Sequence, residues 1–225
     1  MSKKNKEVQQ QIRQVGIVPV LRATSAEAAI IAAKAVCHGG IPIVEITMTV
    51  PDAPQVISEL TLSLSRQVLI GAGTVMDAAT VKLCANAGAQ FIVSPVFDAE
   101  VVKAARDEGL VMMAGALTPT EIVAAWKAGS DFVKVFPCGN VGGPPYIRAL
   151  KTVQPQIQMI PTGGVTLANA AEYLQAGASA VGVGSELVSA GDLTVGDFEG
   201  IASAARRFAA AVKEQQEIAR PPRVA

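Results

Sequence analysis

Short apolar runs recur along the whole chain: Ile17–Leu21, Ile41–Ile46, Val68–Ala72, Phe91–Ser94, Leu110–Ala114, Phe132–Phe136, Ile157–Pro161 and Ala180–Gly184. They are continuously apolar more than alternating, as strands are in a parallel sheet covered on both faces. Successive runs start roughly 20–27 residues apart, which leaves room for one helix between each pair. The intervening stretches carry helix signals. Thr24-Ser25-Ala26-Glu27 and Thr118-Pro119-Thr120-Glu121 read as capping boxes, in which a hydroxyl accepts an orphan N–H and the glutamate reaches back. Asp98 and Thr166 are expected to cap two further helices, and Gly109, Gly129 and Gly177 to end three. The helix ends His38-Gly39-Gly40, Ala87-Gly88-Ala89, Ala128-Gly129-Ser130 and Ala176-Gly177-Ala178 repeat at roughly 40–48 residues, two strand–helix units apiece. Eight such units predict an α/β fold, a (β/α)8 TIM barrel in one domain over residues 1–225. An N-terminal helix is expected over about 1–14 and a frayed tail over about 219–225. An open doubly wound sheet would carry a glycine-rich dinucleotide loop after the first run, and Leu21-Arg22-Ala23-Thr24 is not one.

Composition narrows the function classes. Half of the residues are hydrophobic, 17% are charged and mean hydropathy is +0.38, which excludes a disordered chain. Lys+Arg and Asp+Glu are each 19. Nucleic acid and anionic membrane surfaces reward a basic excess, so neither is an expected partner. The N-terminus, MSKKNKEVQQQIRQ, is basic and polar without an apolar core, so it does not read as a secretory signal. No apolar stretch reaches the length of a membrane span. His38 is the one histidine, and Cys37, Cys84 and Cys138 are an odd, widely spaced set. A multi-histidine metal site and a disulfide framework are both disfavoured, and a reducing cytoplasm is the expected home.

In a barrel the active site lies at the C-terminal ends of the strands, so polar residues in or just after the runs are the candidates. Lys134 stands inside Phe132-Val133-Lys134-Val135-Phe136. Burial disfavours an ammonium there, and a neutral amine can attack a carbonyl and form a Schiff base. The alternative reading is an edge residue or a buried ion pair with a carboxylate. Glu45 interrupts Ile43-Val44-Glu45-Ile46-Thr47 in the same way, either as a general acid/base or as the salt-bridge partner of Lys134 or Arg22. Arg22 ends the first run, where a guanidinium can fork onto a carboxylate or simply face solvent. Pro161-Thr162-Gly163-Gly164 and Val183-Gly184-Ser185 end the seventh and eighth runs, where barrels often bind phosphate on backbone N–H groups. Thr74, after Gly71-Ala72-Gly73, can bind a carboxylate, cap the next helix, or do both. Ser94-Pro95 can form a pocket wall. Cys138 lies close to any such site without a neighbour that would activate it.

Taken in order, Gly16-Ile17-Val18-Pro19-Val20-Leu21-Arg22, Val44-Glu45-Ile46-Thr47, Gly71-Ala72-Gly73-Thr74-Val75, Phe91-Ile92-Val93-Ser94-Pro95, Phe132-Val133-Lys134-Val135-Phe136-Pro137, Pro161-Thr162-Gly163-Gly164 and Val181-Gly182-Val183-Gly184-Ser185 resemble the bacterial 2-keto-3-deoxy-6-phosphogluconate (KDPG) aldolases, which also cleave 4-hydroxy-2-oxoglutarate (KHG). The resemblance runs from about Gly16 to Leu187. It implies a class I aldolase on a (β/α)8 barrel, without metal or cofactor beyond the covalent imine, and a homotrimer. It implies Lys134 as the Schiff-base lysine and Glu45 as the proton-transfer carboxylate. Thr74 would bind the pyruvyl carboxylate, and Pro95 and Phe136 would wall the pocket. Thr162, Gly163, Gly164, Gly184 and Ser185 would hold the phosphate end. Many members carry an arginine after the second-strand threonine, whereas this chain reads Thr47-Met48-Thr49-Val50-Pro51. Arg22 is then expected to supply the charge for the substrate carboxylate. The expected substrates are small phosphorylated 2-keto acids, with the 6-phosphogalactonate isomer as an alternative. A non-catalytic phosphate-binding barrel would have no use for Lys134 and Glu45, and a phosphate-binding isomerase or synthase would not need the lysine.

Overall fold

The structure, a computed structural model, describes residues 3–64 and 67–218. The tail expected over about 219–225 lies outside the described residues. The elements follow in the order α1 (Lys3–Val15), β1 (Ile17–Leu21), α2 (Ala26–His38), β2 (Ile43–Thr47), α3 (Ala53–Ser63), β3 (Leu69–Gly73), α4 (Ala78–Asn86), β4 (Phe91–Val93), α5 (Ala99–Asp107), β5 (Val111–Ala116), α6 (Pro119–Ala128), β6 (Phe132–Val135), α7 (Pro144–Val153), β7 (Met159–Pro161), α8 (Ala170–Gln175), β8 (Val181–Val183), α9 (Ala190–Val195) and α10 (Phe198–Ile218). A short 3-10 turn, Cys138–Val141, precedes α7. All registered pairs are parallel, in the order β7-β6-β5-β4-β3-β2-β1-β8. A Thr162–Gly182 bridge and the Ser179 N–H on the Met159 carbonyl (2.8 Å) join the two ends, so the sheet is a nearly closed (β/α)8 barrel.

Two apolar layers follow from the twofold alternation of side chains along each strand. Residues facing outward, such as Val44, Ile46, Val133 and Val135, pack with the helices in one continuous core. Residues facing inward form a second cluster that includes Val18, Ile43, Leu69, Phe91 and Phe132. Val8 and Ile12 of α1 belong to that inner cluster, so α1 closes the N-terminal end of the barrel. Gln9 on the same helix donates to Asp131 just before β6 (2.6 Å), and Gln11 donates to the Gln67 carbonyl (2.6 Å).

Several local details differ from the sequence reading. The cap of α2 is Ser25 rather than Thr24, its side chain accepting from the Ala28 N–H. Helix α8 is capped at Asn169, not Thr166; the Thr166 N–H instead donates to the Asn169 side chain, which fixes the turn before the helix. The capping box at Thr118 and Glu121 and the cap at Asp98 form as expected. Strands β2, β3, β5, β7 and β8 begin later than their apolar runs, whereas β1, β4 and β6 begin where their runs do. Leu110 closes α5 through its N–H on Ala105, and Ile157 closes the turn after α7 through its N–H on Gln154. Both are buried without being in the sheet ladder, because apolarity marks burial and not pairing. Strands β2, β3 and β5 also run past their apolar runs, through Thr47, Gly73 and Ala116, towards the C-terminal mouth.

Candidate active site

Two residues up the strands from Ile43 and Phe132 the inner face changes character. Glu45 on β2 and Lys134 on β6 occupy those positions, and β2 and β6 stand four strands apart in the sheet, on opposite sides of the barrel. The two side chains meet across its interior, with Lys134 Nζ 3.9 Å from Glu45 Oε1. Glu45 is 2% exposed and Lys134 3%. The separation is that of an ion pair but is too long for a hydrogen bond, and Glu45 Oε1 has no hydrogen-bond partner. Burial pushes the Glu45 carboxyl above its ordinary range, and the charges of Lys134 and then Arg22 pull it back only in part. The pair is therefore buried and held apart, with a carboxyl poised to take or give a proton.

Glycines make this layer possible. A Cβ on Gly73 would collide with Glu45 Oε1, so β3 leaves the space that the carboxylate fills. A Cβ on Gly115, the register partner of Lys134, would strike the Pro95 backbone, which brings Pro95 beside the lysine strand. Lys134 Nζ lies 5.4 Å from the centroid of the Phe136 ring. The same ring is 3.3 Å from where a Gly163 Cβ would stand. Thr162, nearly buried, fills the space left by Gly182 on β8. Gly163 and Gly164 have φ of 83° and 77°, a conformation that favours glycine. The Gly163 carbonyl accepts from the Gly139 N–H (2.8 Å), and the Gly164 carbonyl from the Asn169 side chain (3.0 Å).

Arg22 is exposed at the mouth, its guanidinium 3.6 Å from where a Gly184 Cβ would stand. It lines a cavity of about 330 Å³ with Val20, Thr24, Ser185, Val188 and Leu193. The Leu187 and Val188 N–H groups both turn back to the Gly184 carbonyl, making a tight turn over Ser185. The structure thus groups Arg22 with Gly184 and Ser185, at the strand-one and strand-eight side of the mouth. Thr74 stands on the β3 side, with φ of 58°. A β-branched residue in the left-handed region is strained, and such strain concentrates at functional positions.

Two residues of this layer escaped the list of sequence candidates. Gly73 holds room for Glu45, and Thr47, fully buried, donates its hydroxyl to the Leu21 carbonyl (2.9 Å). Twofold alternation from Glu45 would have put Thr47 on the same face. Cys138 is buried, and burial pushes its thiol up to about 11, which leaves it unreactive. Among the described residues, no three His, Cys, Asp or Glu side chains are grouped as a metal would need, and no helix is long and apolar enough to cross a membrane. A larger cavity, about 740 Å³, opens at the opposite end of the barrel between Lys103, Arg106 and Asp131.

Comparison with known proteins points the same way as this layer of residues. A family model described as KDPG and KHG aldolase matches residues 8–204. The chain is 35% identical over 202 residues to a 2-dehydro-3-deoxy-6-phosphogalactonate aldolase of Escherichia coli (strain K12), covering 89% of this chain and 95% of that protein. It is 34% identical over 187 residues to a 2-dehydro-3-deoxy-phosphogluconate aldolase of Treponema pallidum (strain Nichols), covering 83% and 89%. The crystal structure of a KDPG aldolase from Legionella pneumophila, with pyruvate captured as a covalent carbinolamine intermediate, superposes with a TM-score of 0.81 at 28% identity, covering 88% of this chain and 96% of that one.

Proposed function

The chain belongs to the KDPG and KHG aldolase family of carbon–carbon lyases, and from that premise we propose that it is a class I aldolase using Lys134 as its Schiff-base lysine. The observation that carries the reading is the buried Lys134–Glu45 pair, 3.9 Å apart with Glu45 Oε1 unbonded. In its free-base form the Lys134 amine adds to the C2 ketone of 2-keto-3-deoxy-6-phosphogluconate. Glu45 moves the protons needed to expel water and form the imine. The protonated imine then takes up the electron pair of the breaking C3–C4 bond as an enamine. The C4 hydroxyl gives its proton to Glu45, directly or through a water, and becomes the aldehyde of glyceraldehyde 3-phosphate. Protonation of the enamine at C3 and hydrolysis of the imine release pyruvate and restore Lys134. The chemistry needs no metal or cofactor. By the same steps 4-hydroxy-2-oxoglutarate would yield pyruvate and glyoxylate.

The remaining candidates take roles from where they stand. Thr74 binds the pyruvyl carboxylate from the β3 side, and Pro95 and Phe136 wall the reacting centre. Thr162, Gly163, Gly164, Gly184 and Ser185 hold the phosphate. The place of Arg22 beside Gly184 and Ser185 supports a phosphate contact over the carboxylate contact expected from sequence. The 35% identity to a phosphogalactonate aldolase favours the C4 epimer as a second substrate, which kcat/KM measured on both epimers decides. A homotrimer belongs to the same reading. The exposed apolar side chains Met76, Leu83 and Val96 supply surface for it, and sedimentation equilibrium is expected to read three times the 23.1 kDa chain.

Borohydride trapping tests the central claim. Protein incubated with pyruvate and then reduced is expected to gain a pyruvate-derived adduct on the peptide that contains Lys134. Lys134→Ala is expected to gain none. A folded wild-type protein that traps no pyruvate at high concentration would return the phosphate-binding barrel readings to the front.

A further inference from the structure

A side chain adds to the strand pairing at the end of β1. Pairing of β1 with β8 stops at Pro19–Val183, and pairing with β2 stops at Leu21–Ile46. One residue beyond, the buried Thr47 hydroxyl donates to the Leu21 carbonyl (2.9 Å). The Thr49 hydroxyl lies 2.7 Å from the Thr47 oxygen. Since Thr47 has a single proton and gives it to Leu21, Thr49 must be the donor of this second bond. Two hydroxyls thus run in series from the exposed mouth, Thr49 to Thr47 to the Leu21 carbonyl. The next fixed point along the chain is Ser25, the cap of α2. Arg22 falls between these two anchors and is the first residue past the first of them.

We infer that Thr47 is a positioning residue for Arg22: its hydroxyl fixes the peptide after Leu21, which aims the guanidinium at Gly184, and Thr49 fixes the direction of the Thr47 proton. The inference rests on the proposed aldolase reading, in which Arg22 meets the anionic end of the substrate. Thr47 itself touches no reacting atom. Its loss should weaken substrate binding and leave the chemical step at Lys134 alone. The Thr47-x-Thr49 stretch thereby acts on the cation supplied by a neighbouring strand, in a segment that carries no arginine of its own.

The test is a double-mutant cycle with four single variants, read as kcat and KM on 2-keto-3-deoxy-6-phosphogluconate. Thr47→Val keeps the branched shape and removes the proton. It is expected to raise KM about tenfold, roughly the worth of one well-made hydrogen bond, with kcat within about twofold. Thr47→Ser restores the hydroxyl and is expected to recover most of the affinity. Thr49→Val should shift KM in the same direction by less. In an Arg22→Ala background, Thr47→Val is expected to add no further loss. Additive losses in the double variant, or a fall in kcat without a change in KM, would overturn the inference. Should Thr47→Val fail to fold, Thr47→Ser and Thr49→Val still complete the comparison. Arg22→Ala with unchanged KM would remove the role of Arg22 and the inference with it. Wild-type protein that neither traps pyruvate nor cleaves the substrate overturns the aldolase reading itself, a result told apart from the others before any variant is made.

Discussion

Glu45 bears a cost of burial that the proposed chemistry would repay. Its desolvation outweighs the attraction of Lys134 and Arg22, so the folded chain binds the Glu45 proton more tightly than the unfolded chain does. A carboxyl whose folded pKa is raised contributes its stability below the ordinary carboxylate range. That contribution is lost as pH rises through the raised folded value. Glu45→Gln keeps the shape and removes the titration. The melting temperatures of wild type and Glu45→Gln should lie closest together below the ordinary carboxylate range, and the variant should gain on the wild type as pH rises through the raised folded value. The same variant should lose roughly 10²–10⁴-fold in kcat, the usual worth of a positioned general acid/base. Thermal melts across pH, run beside steady-state kinetics, check both halves. A gap in melting temperature that stays constant with pH would mean that Glu45 carries no net desolvation penalty.

Helix α1 is the element that turns an open-ended barrel into a closed one. Val8 and Ile12 enter the inner cluster below Glu45 and Lys134, and Gln9 ties the helix to Asp131 at the start of the lysine strand. Ile12 is fully buried, so Ile12→Ala should cost about 2–5 kcal/mol in urea denaturation. Because the upper layer is fixed by β2 and β6, the KM of the folded variant should hardly move. A large loss of kcat at full folding would instead place α1 in the mechanism. This element also marks what sequence can disclose. The strands are legible because a parallel sheet buried on both faces needs continuous apolar runs, and Lys134 and Glu45 stand out because each is a charge inside such a run. Gly73 and Thr47 are not legible in that way. Gly73 matters because a side chain on the neighbouring β2 needs its space, and Thr47 because its hydroxyl meets the end of β1. Both relations come from cross-strand placement, which no single run contains. The upper ends of β2, β3 and β5 are missed for a different reason: the small and polar residues there, Thr47, Gly73 and Ala116, do not extend an apolar run.

Across the whole molecule, the chain's net charge of zero gives no general pull on an anionic substrate, so its two ends must be sorted by local contacts. In the proposed reading the barrel mouth offers two separate places for them. Arg22, Gly184 and Ser185 stand together on the strand-one and strand-eight side, and Thr74 stands on the β3 side. The Glu45–Lys134 pair on β2 and β6 lies between. A 2-keto-3-deoxy-6-phosphohexonate has its carboxylate next to the reacting ketone and its phosphate at the far end, and pyruvate keeps only the first. This arrangement predicts that the two anion contacts separate cleanly by substrate. Arg22→Ala should raise KM for the phosphorylated acid by roughly 10–100-fold, the worth of a hydrogen bond to a charged group. It should leave the pyruvate concentration needed for half-maximal borohydride trapping within about twofold, since pyruvate carries no phosphate. Thr74→Gly should do the opposite and weaken pyruvate trapping. It should also raise the melting temperature, because glycine accepts the φ of 58° without strain. If Arg22→Ala weakens pyruvate trapping as much as it weakens use of the phosphorylated acid, then Arg22 reaches the carboxylate after all. The cation missing from the Thr47–Pro51 stretch would then be replaced in function as well as in charge, and the phosphate would rest on the glycine turns and Ser185 alone.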